Sequence, residues 1–219
     1  MLGMELYHAL NRGTDKRAIV MDNYDRQRFV LGLYAFNDVD SVVNLSRDLS
    51  EIGSHSDDRN RLVDVHAWCL MGNHYHLLLS SHVENGVSKF LQKLNIGYTM
   101  YFNKRHQRSG VLFQGKTKKV LIEKEAHFNY ILHYIHCNPL DLMRGGSGWR
   151  TQSLASPKAA LDYLDAYRWS SYRNYSGEPE FSEILTGSDI FAERHTHTTS
   201  LKSYLRAIRD PSLEHLYLE

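Results

Sequence analysis

Apolar and polar positions alternate with period two in some stretches and recur with helical spacing in others, and the changes of period mark the elements. The stretch 5–11 reads as a short strand ending at an Asn11-Arg12-Gly13 turn. From position 25, Phe29, Val30, Leu33, Tyr34 and Phe36 recur at helical spacing and predict a helix to about position 37. Between 40 and 60 the composition turns to Ser, Asp, Asn and Gly, which predicts a loop or short helix ahead of the next strand. Two β-rich runs, 63–70 and 74–80, are joined by Met71-Gly72-Asn73 and predict a hairpin. Val87, Phe90, Leu91, Leu94, Tyr98 and Tyr101 form one apolar stripe of a helix ending near Lys104. Gly110 breaks the chain, and 111–123 reads as a strand or extended pair. A further helix over 124–137 has Phe128, Ile131, Leu132 and Ile135 as its buried stripe. Pro139 ends it, because the residue before a proline is pushed out of the α region.

Beyond this the pattern thins. Gly145, Gly146 and Gly148 make a flexible link, and 159–167 and 201–209 look helical. The order strand, helix, strand, strand, helix, strand, helix is that of an α+β sandwich, with helices laid on an antiparallel sheet. The link divides the chain into a sheet-bearing part, 1–144, and a mostly helical extension, 145–219, expected to pack on it. No internal repeat is visible.

Composition changes this picture little and charge changes it more. The chain has 219 residues, 42% hydrophobic and 23% charged, which is globular rather than disordered. The sequence carries neither an apolar run of membrane-spanning length nor a charged-then-apolar signal segment, so a cytoplasmic protein with no membrane partner is expected. Cys69 and Cys137 form no CxxC pair and read as two free thiols in a reducing compartment. The net charge of +1 is uninformative, but its distribution is not. Between 86 and 120 lie Lys89, Lys93, Lys104, Arg105, Arg108, Lys116, Lys118 and Lys119 with no acid among them, whereas from Asp141 onward nine Lys and Arg face eleven Asp and Glu. A cationic zone with interleaved aromatics suits a phosphate backbone; the same charges also suit a solvated helix face.

The candidate chemistry lies in two places. His74-Tyr75-His76 opens a strand, so both imidazoles project to one face, roughly 7 Å apart at Cα, a spacing that suits two nitrogen ligands on one divalent ion. It equally suits two polar residues on the wet face of a sheet, and a second such pair, His195 and His197, sits in a polar Thr-rich stretch. The other place is the helix bearing Tyr130, Tyr134 and Asn138. Tyr134 and Asn138 lie one turn apart, about 40° around the axis, and away from the 128/132/135 stripe. A phenol becomes a useful nucleophile when a nearby cation favours its phenolate. A metal held by two histidines and the Asn138 amide would supply that cation, while Asn138 alone also fits a residue that merely ends the helix.

Several motifs agree in order and spacing with one family. Asn11-Arg12-Gly13, Met71-Gly72-Asn73-His74-Tyr75-His76, Leu112-Phe113-Gln114-Gly115-Lys116, Tyr134-Ile135-His136-Cys137-Asn138-Pro139 and Arg168-Trp169-Ser170-Ser171-Tyr172-Arg173 resemble those of REP-associated tyrosine transposases. These are relatives of the single-tyrosine HUH transposases that move insertion sequences as single strands. The resemblance spans roughly 7–175. It implies a ferredoxin-like (RRM-like) sheet core, with 1–144 as the catalytic domain. It places the HUH pair on His74 and His76, the nucleophile on Tyr134 and a third metal ligand at Asn138. It implies Mg²⁺ or Mn²⁺, a 5′-phosphotyrosine intermediate and a free 3′-hydroxyl that permits rejoining. The implied partner is single-stranded DNA bearing hairpins of repeated extragenic palindromes, bound by a monomer or homodimer. Two segments depart from the family: Leu140-Asp141-Leu142-Met143 with the Gly/Ser-rich insert that follows, and a long 40–60 stretch.

For DNA contact the candidates are Arg12, Lys104, Arg105, Arg108, Gln114, Lys116, Lys118 and Lys119, as clamps on hairpin phosphates, with Tyr and Phe faces to stack on bases. Two other functions fit the same residues: a non-cleaving hairpin-binding protein of this fold, and a metallohydrolase with a water nucleophile.

Overall fold

The computed structural model describes residues 5–40, 59–123, 125–151, 154, 156–187 and 197–205. A four-stranded antiparallel sheet runs in the order β2-β3-β1-β4. Its strands are β1 (Leu6–Arg12), β2 (Val63–Leu70), β3 (His74–Ser81) and β4 (Lys118–Leu121). Helix α1 (Asn23–Ala35) follows β1 and α2 (Gly86–Arg105) follows β3. This βαββαβ succession with β1 and β3 central is the ferredoxin-like arrangement expected above.

Alternation along the strands divides the sheet's residues between two faces. Ala9, Val65, Tyr75, Leu77 and Leu79 join Phe29 and Val30 of α1 and Phe90, Leu94 and Tyr98 of α2 in one buried cluster. Leu6, Ala67, Cys69 and Leu78 join the opposite cluster, under α3 (Glu125–Cys137), α4 (Pro157–Ala166), α5 (Tyr172–Ser176) and α6 (His197–Tyr204). A register shift between Val65 and Ala67 lets β2 carry one extra residue, so Val65 and Trp68 both reach the α1/α2 side. Helix α1 starts where Asp22 caps the backbone N–H of Asp25 at 3.1 Å. Asn37, just past its end, fastens the start of β2 by accepting from Leu62 and Val63 and donating to the Val63 carbonyl.

The polar 40–60 stretch falls almost wholly outside the described residues, as do Lys124, His195 and much of 201–209. Three expectations are corrected. Asn11 and Arg12 continue β1 rather than turn, because Arg12 still pairs with His74 across the ladder. Only Lys118–Leu121 of the 111–123 run forms a strand; Phe113 makes an isolated bridge to Gly13. Tyr134 is fully buried, contrary to its placement off the apolar stripe. From Ile131 to Leu140 every residue of this segment is buried, since the helix lies between the sheet and the C-terminal elements and has no wet face there.

The Trp169-Ser170-Ser171-Tyr172 motif has a structural role. Ser170 extends the edge of β2 through a bridge to Cys69, and the Leu70 N–H donates to the Trp169 carbonyl at 2.9 Å. The Ser171 hydroxyl oxygen accepts from the Trp68 N–H at 2.9 Å and bonds His136 Nε2 at 2.8 Å, tying α3 to the sheet. A strand edge that would otherwise be open is thereby covered.

Candidate active site

The sheet face beneath α3 carries the histidines because His74 and His76 alternate with Tyr75 and Leu77, which enter the α1/α2 core. Their ring centres are 5.0 Å apart at an interplanar angle of 84°. Two imidazoles sharing one ion, with nitrogens roughly 2.1 Å from it and bonds near right angles, hold their ring centres roughly 5 Å apart. The donor set fits as well. His74 Nδ1 lies 2.6 Å from the Asn73 Oδ1, whose amide nitrogen donates to the Lys16 carbonyl at 3.2 Å. An amide oxygen only accepts, so His74 carries its proton on Nδ1 and offers the Nε2 lone pair.

Burial first, then the charge of Arg12, lowers the His74 pKa from 6.5 to about 4, with Asp141 pulling the other way. Burial, followed by His74 and His8, holds His76 well below its ordinary value. Both rings are therefore neutral near pH 7, the form that binds metal. Among the described residues no group of three or more His, Cys, Asp or Glu side chains forms a metal-holding cluster, so a cation here would rest on this pair with other donors.

Tyr134 comes down onto this pair from α3. Its ring centre is 5.5 Å from that of His76 and 5.8 Å from that of His8, edge-on in both cases, and 5.7 Å from that of Trp149. Asn138, one turn on from Tyr134, is engaged: its amide nitrogen donates to the Tyr134 carbonyl at 2.8 Å, closing the last turn of α3, and its Oδ1 accepts from Arg150 Nη2 at 3.4 Å. Arg150 pairs with Asp141, which also accepts from the Trp149 indole at 2.8 Å, and the guanidinium stacks on that indole at 4.3 Å.

The proposed DNA contacts separate into two groups. Arg12, Gln114, Lys116 and Lys118 line one cleft of about 170 Å³ with Leu10 and Asn11. The cleft adjoins the histidines, since Arg12 is paired with His74, and Leu10 lies between His76 and Lys118 in the strand register. The others lie elsewhere. Arg105 is locked to Asp22 at 2.7 Å and to the buried Asp25 at 2.5 Å, and Arg108 bonds Asn103 and the Val111 carbonyl. Lys119 donates to Ser88 at 2.6 Å, and Lys104 is exposed at the end of α2.

Sequence reasoning missed His8, Asn73, Trp149 and Arg150. His8 sits in a strand of apolar neighbours, and the residue it meets is 68 positions away, so no local pattern could single it out. Asn73, adjacent to the histidine pair, was the one with a local signal.

Residues 44–138 match the family model described as transposase, IS200 like. That segment takes in His74, His76, α2, α3 and Asn138. No curated protein matches the chain. A solved structure of a REP-associated tyrosine transposase bound to a REP hairpin is similar at a TM-score of 0.47 and 11% identity, covering 83% of this chain and 85% of that one. No helix among the described residues is long and apolar enough to cross a membrane.

Proposed function

We propose that the protein cleaves and rejoins single-stranded DNA beside a hairpin of the REP type, with Tyr134 as nucleophile and His74 and His76 as ligands of Mg²⁺ or Mn²⁺. The observation that supports this most is the meeting of His74, His76 and Tyr134 under one sheet face, inside the segment that matches the transposase family. Arg12, Gln114, Lys116 and Lys118 would hold the strand through its phosphates and lead it past Arg12 to the histidines. A divalent ion bound there supplies Lewis-acid polarisation of the phosphodiester. With Trp149 displaced by the incoming strand, the Tyr134 oxygen gives its proton to water admitted with that strand and forms the new bond to phosphorus. The bond from phosphorus to the 3′ oxygen breaks, and that oxygen takes up a proton to leave as a hydroxyl. Rejoining is the reverse, with a 3′-hydroxyl attacking the phosphotyrosine. Asn138 would act as a third ligand by exchanging the Arg150 guanidinium for the ion. The burial of Tyr134 beneath Trp149 favours the second reading, a hairpin-binding protein that does not cleave.

The two are separated with a 3′-labelled hairpin oligonucleotide and Mg²⁺. The strand-transfer reading expects a labelled adduct that survives denaturation with the native protein and is abolished by Tyr134→Phe. Binding without any such adduct supports the non-cleaving reading. Cleavage that persists in Tyr134→Phe makes the nucleophile a water molecule.

A further inference from the structure

We infer that His8 is a positioning residue for the metal site: it accepts the Nδ1 hydrogen of His76 and thereby fixes the tautomer and ring orientation with which His76 offers Nε2 to a cation. The inference rests on the proposed metal role of His74 and His76. His8 stands on β1 facing α3, two residues along the register from the position opposite His76, and is fully buried. Its Nε2 lies 2.9 Å from His76 Nδ1, and the two rings are nearly parallel, 16° apart with centres at 5.2 Å.

One hydrogen is shared across that contact, and its location decides what His76 can do. If His8 Nε2 donates, His76 must be protonated on Nε2 and has no lone pair there for a ligand. If His76 Nδ1 donates, Nε2 is a ligand atom and His8 is the Nδ1-protonated tautomer. His74, the other ligand, is already fixed in the matching state by Asn73. The two ligand histidines thus have their Nδ1 atoms held by different partners, an amide oxygen in a turn for His74 and a buried imidazole on the neighbouring strand for His76. Outer partners of this kind raise ligand basicity and fix ring orientation, and losing one typically costs about 10–100-fold in metal affinity.

The test is Mn²⁺ binding by calorimetry to the full chain, without DNA, in the native protein and in His8→Leu and His8→Gln. The amide oxygen of glutamine accepts the same hydrogen, so His8→Gln retains most of the affinity, whereas His8→Leu loses about 10–100-fold. Histidine nitrogen NMR of the native protein with Mg²⁺ places the His76 proton on Nδ1, a readout that stands even where a variant fails to fold. Native affinity in His8→Leu, equal loss in both variants, or a His76 protonated on Nε2 in the Mg²⁺-bound protein overturns the inference. A native protein that binds no Mn²⁺ overturns the metal reading of the site, and this inference with it. Native binding with no dependence on His8 overturns this inference alone.

Discussion

The two faces of the sheet come from the same strands and are filled in opposite ways. On the α1/α2 side Tyr75, Leu77 and Leu79 meet Phe29, Phe90, Leu94 and Tyr98, and both tyrosine hydroxyls find partners: Tyr75 donates to Asn95 at 2.8 Å, and Tyr98 to the Ile19 carbonyl at 2.6 Å. On the α3 side the same strands contribute His8, His74, His76 and Ser80, and the covering elements bring Tyr134, His136, Asn138 and Ser171. Buried polar groups cost free energy unless they are hydrogen-bonded, so a fold that needed only stability would not place so many under one helix. One face is organised for packing. The other has an apolar cluster of its own and sets a group of neutral nitrogens and a phenol beside it.

Variants on the packing face give the largest stability effects. Phe29→Ala empties a fully buried ring site and is expected to cost about 3–5 kcal/mol in urea denaturation, with adduct formation per folded molecule unchanged. A loss below 1 kcal/mol, or an adduct yield that falls among the molecules still folded, would blur the division of labour between the faces. A smaller effect is expected at the mouth of the α3 side. Lys116→Ala and Lys118→Ala each reduce the slope of hairpin affinity against salt by about one, without changing the stability midpoint. Lys104→Ala, away from the cleft, leaves that slope alone; an equal change there would move the DNA path off the cleft.

The smallest effect separates the faces by pH. On the α3 side His66 and His74 are both held below 6.5, chiefly by burial, His74 to about 4. Unfolding lets each bind a proton that the fold refuses. Their contribution is therefore complete above pH 6.5 and is lost as pH falls toward 4. On the α1/α2 side the Arg105 hydrogen bonds hold Asp22 to about 2, so its contribution, complete above 3.8, fades only toward pH 2. The thermal midpoint of the metal-free protein should accordingly start to fall below pH 6.5. A midpoint flat from pH 7 to pH 4 contradicts the burial of neutral histidines beneath α3.

Much of this was legible in the sequence, and the parts that were not share a cause. The strands 63–70 and 74–80 were legible as β-rich runs joined by a short turn, and the helices ending near 104 and over 124–137 from apolar positions that recur at helical spacing. The histidine pair was legible because its two members are neighbours on one strand. What stayed hidden depends on residues far apart in the chain. The Arg105 guanidinium looked available for DNA until Asp22 and Asp25, more than 75 positions earlier, were folded against it. The burial of Tyr134 needs both the sheet and Trp149, and the role of His8 needs β1 to lie beside β3. The bulge at Val65 and Ala67, which resets the faces of β2, has no local marker such as glycine or proline.

The proposed function turns on whether Tyr134 is the atom that takes the DNA. The most direct measurement is tandem mass spectrometry of the tryptic peptide 125–144, which holds both Tyr130 and Tyr134, after reaction with the hairpin strand and Mg²⁺. A nucleotide joined through its 5′-phosphate to Tyr134, absent when EDTA is added, is the expected result. Attachment at Tyr130 or another residue, or strand cleavage with the peptide unmodified throughout, would contradict it.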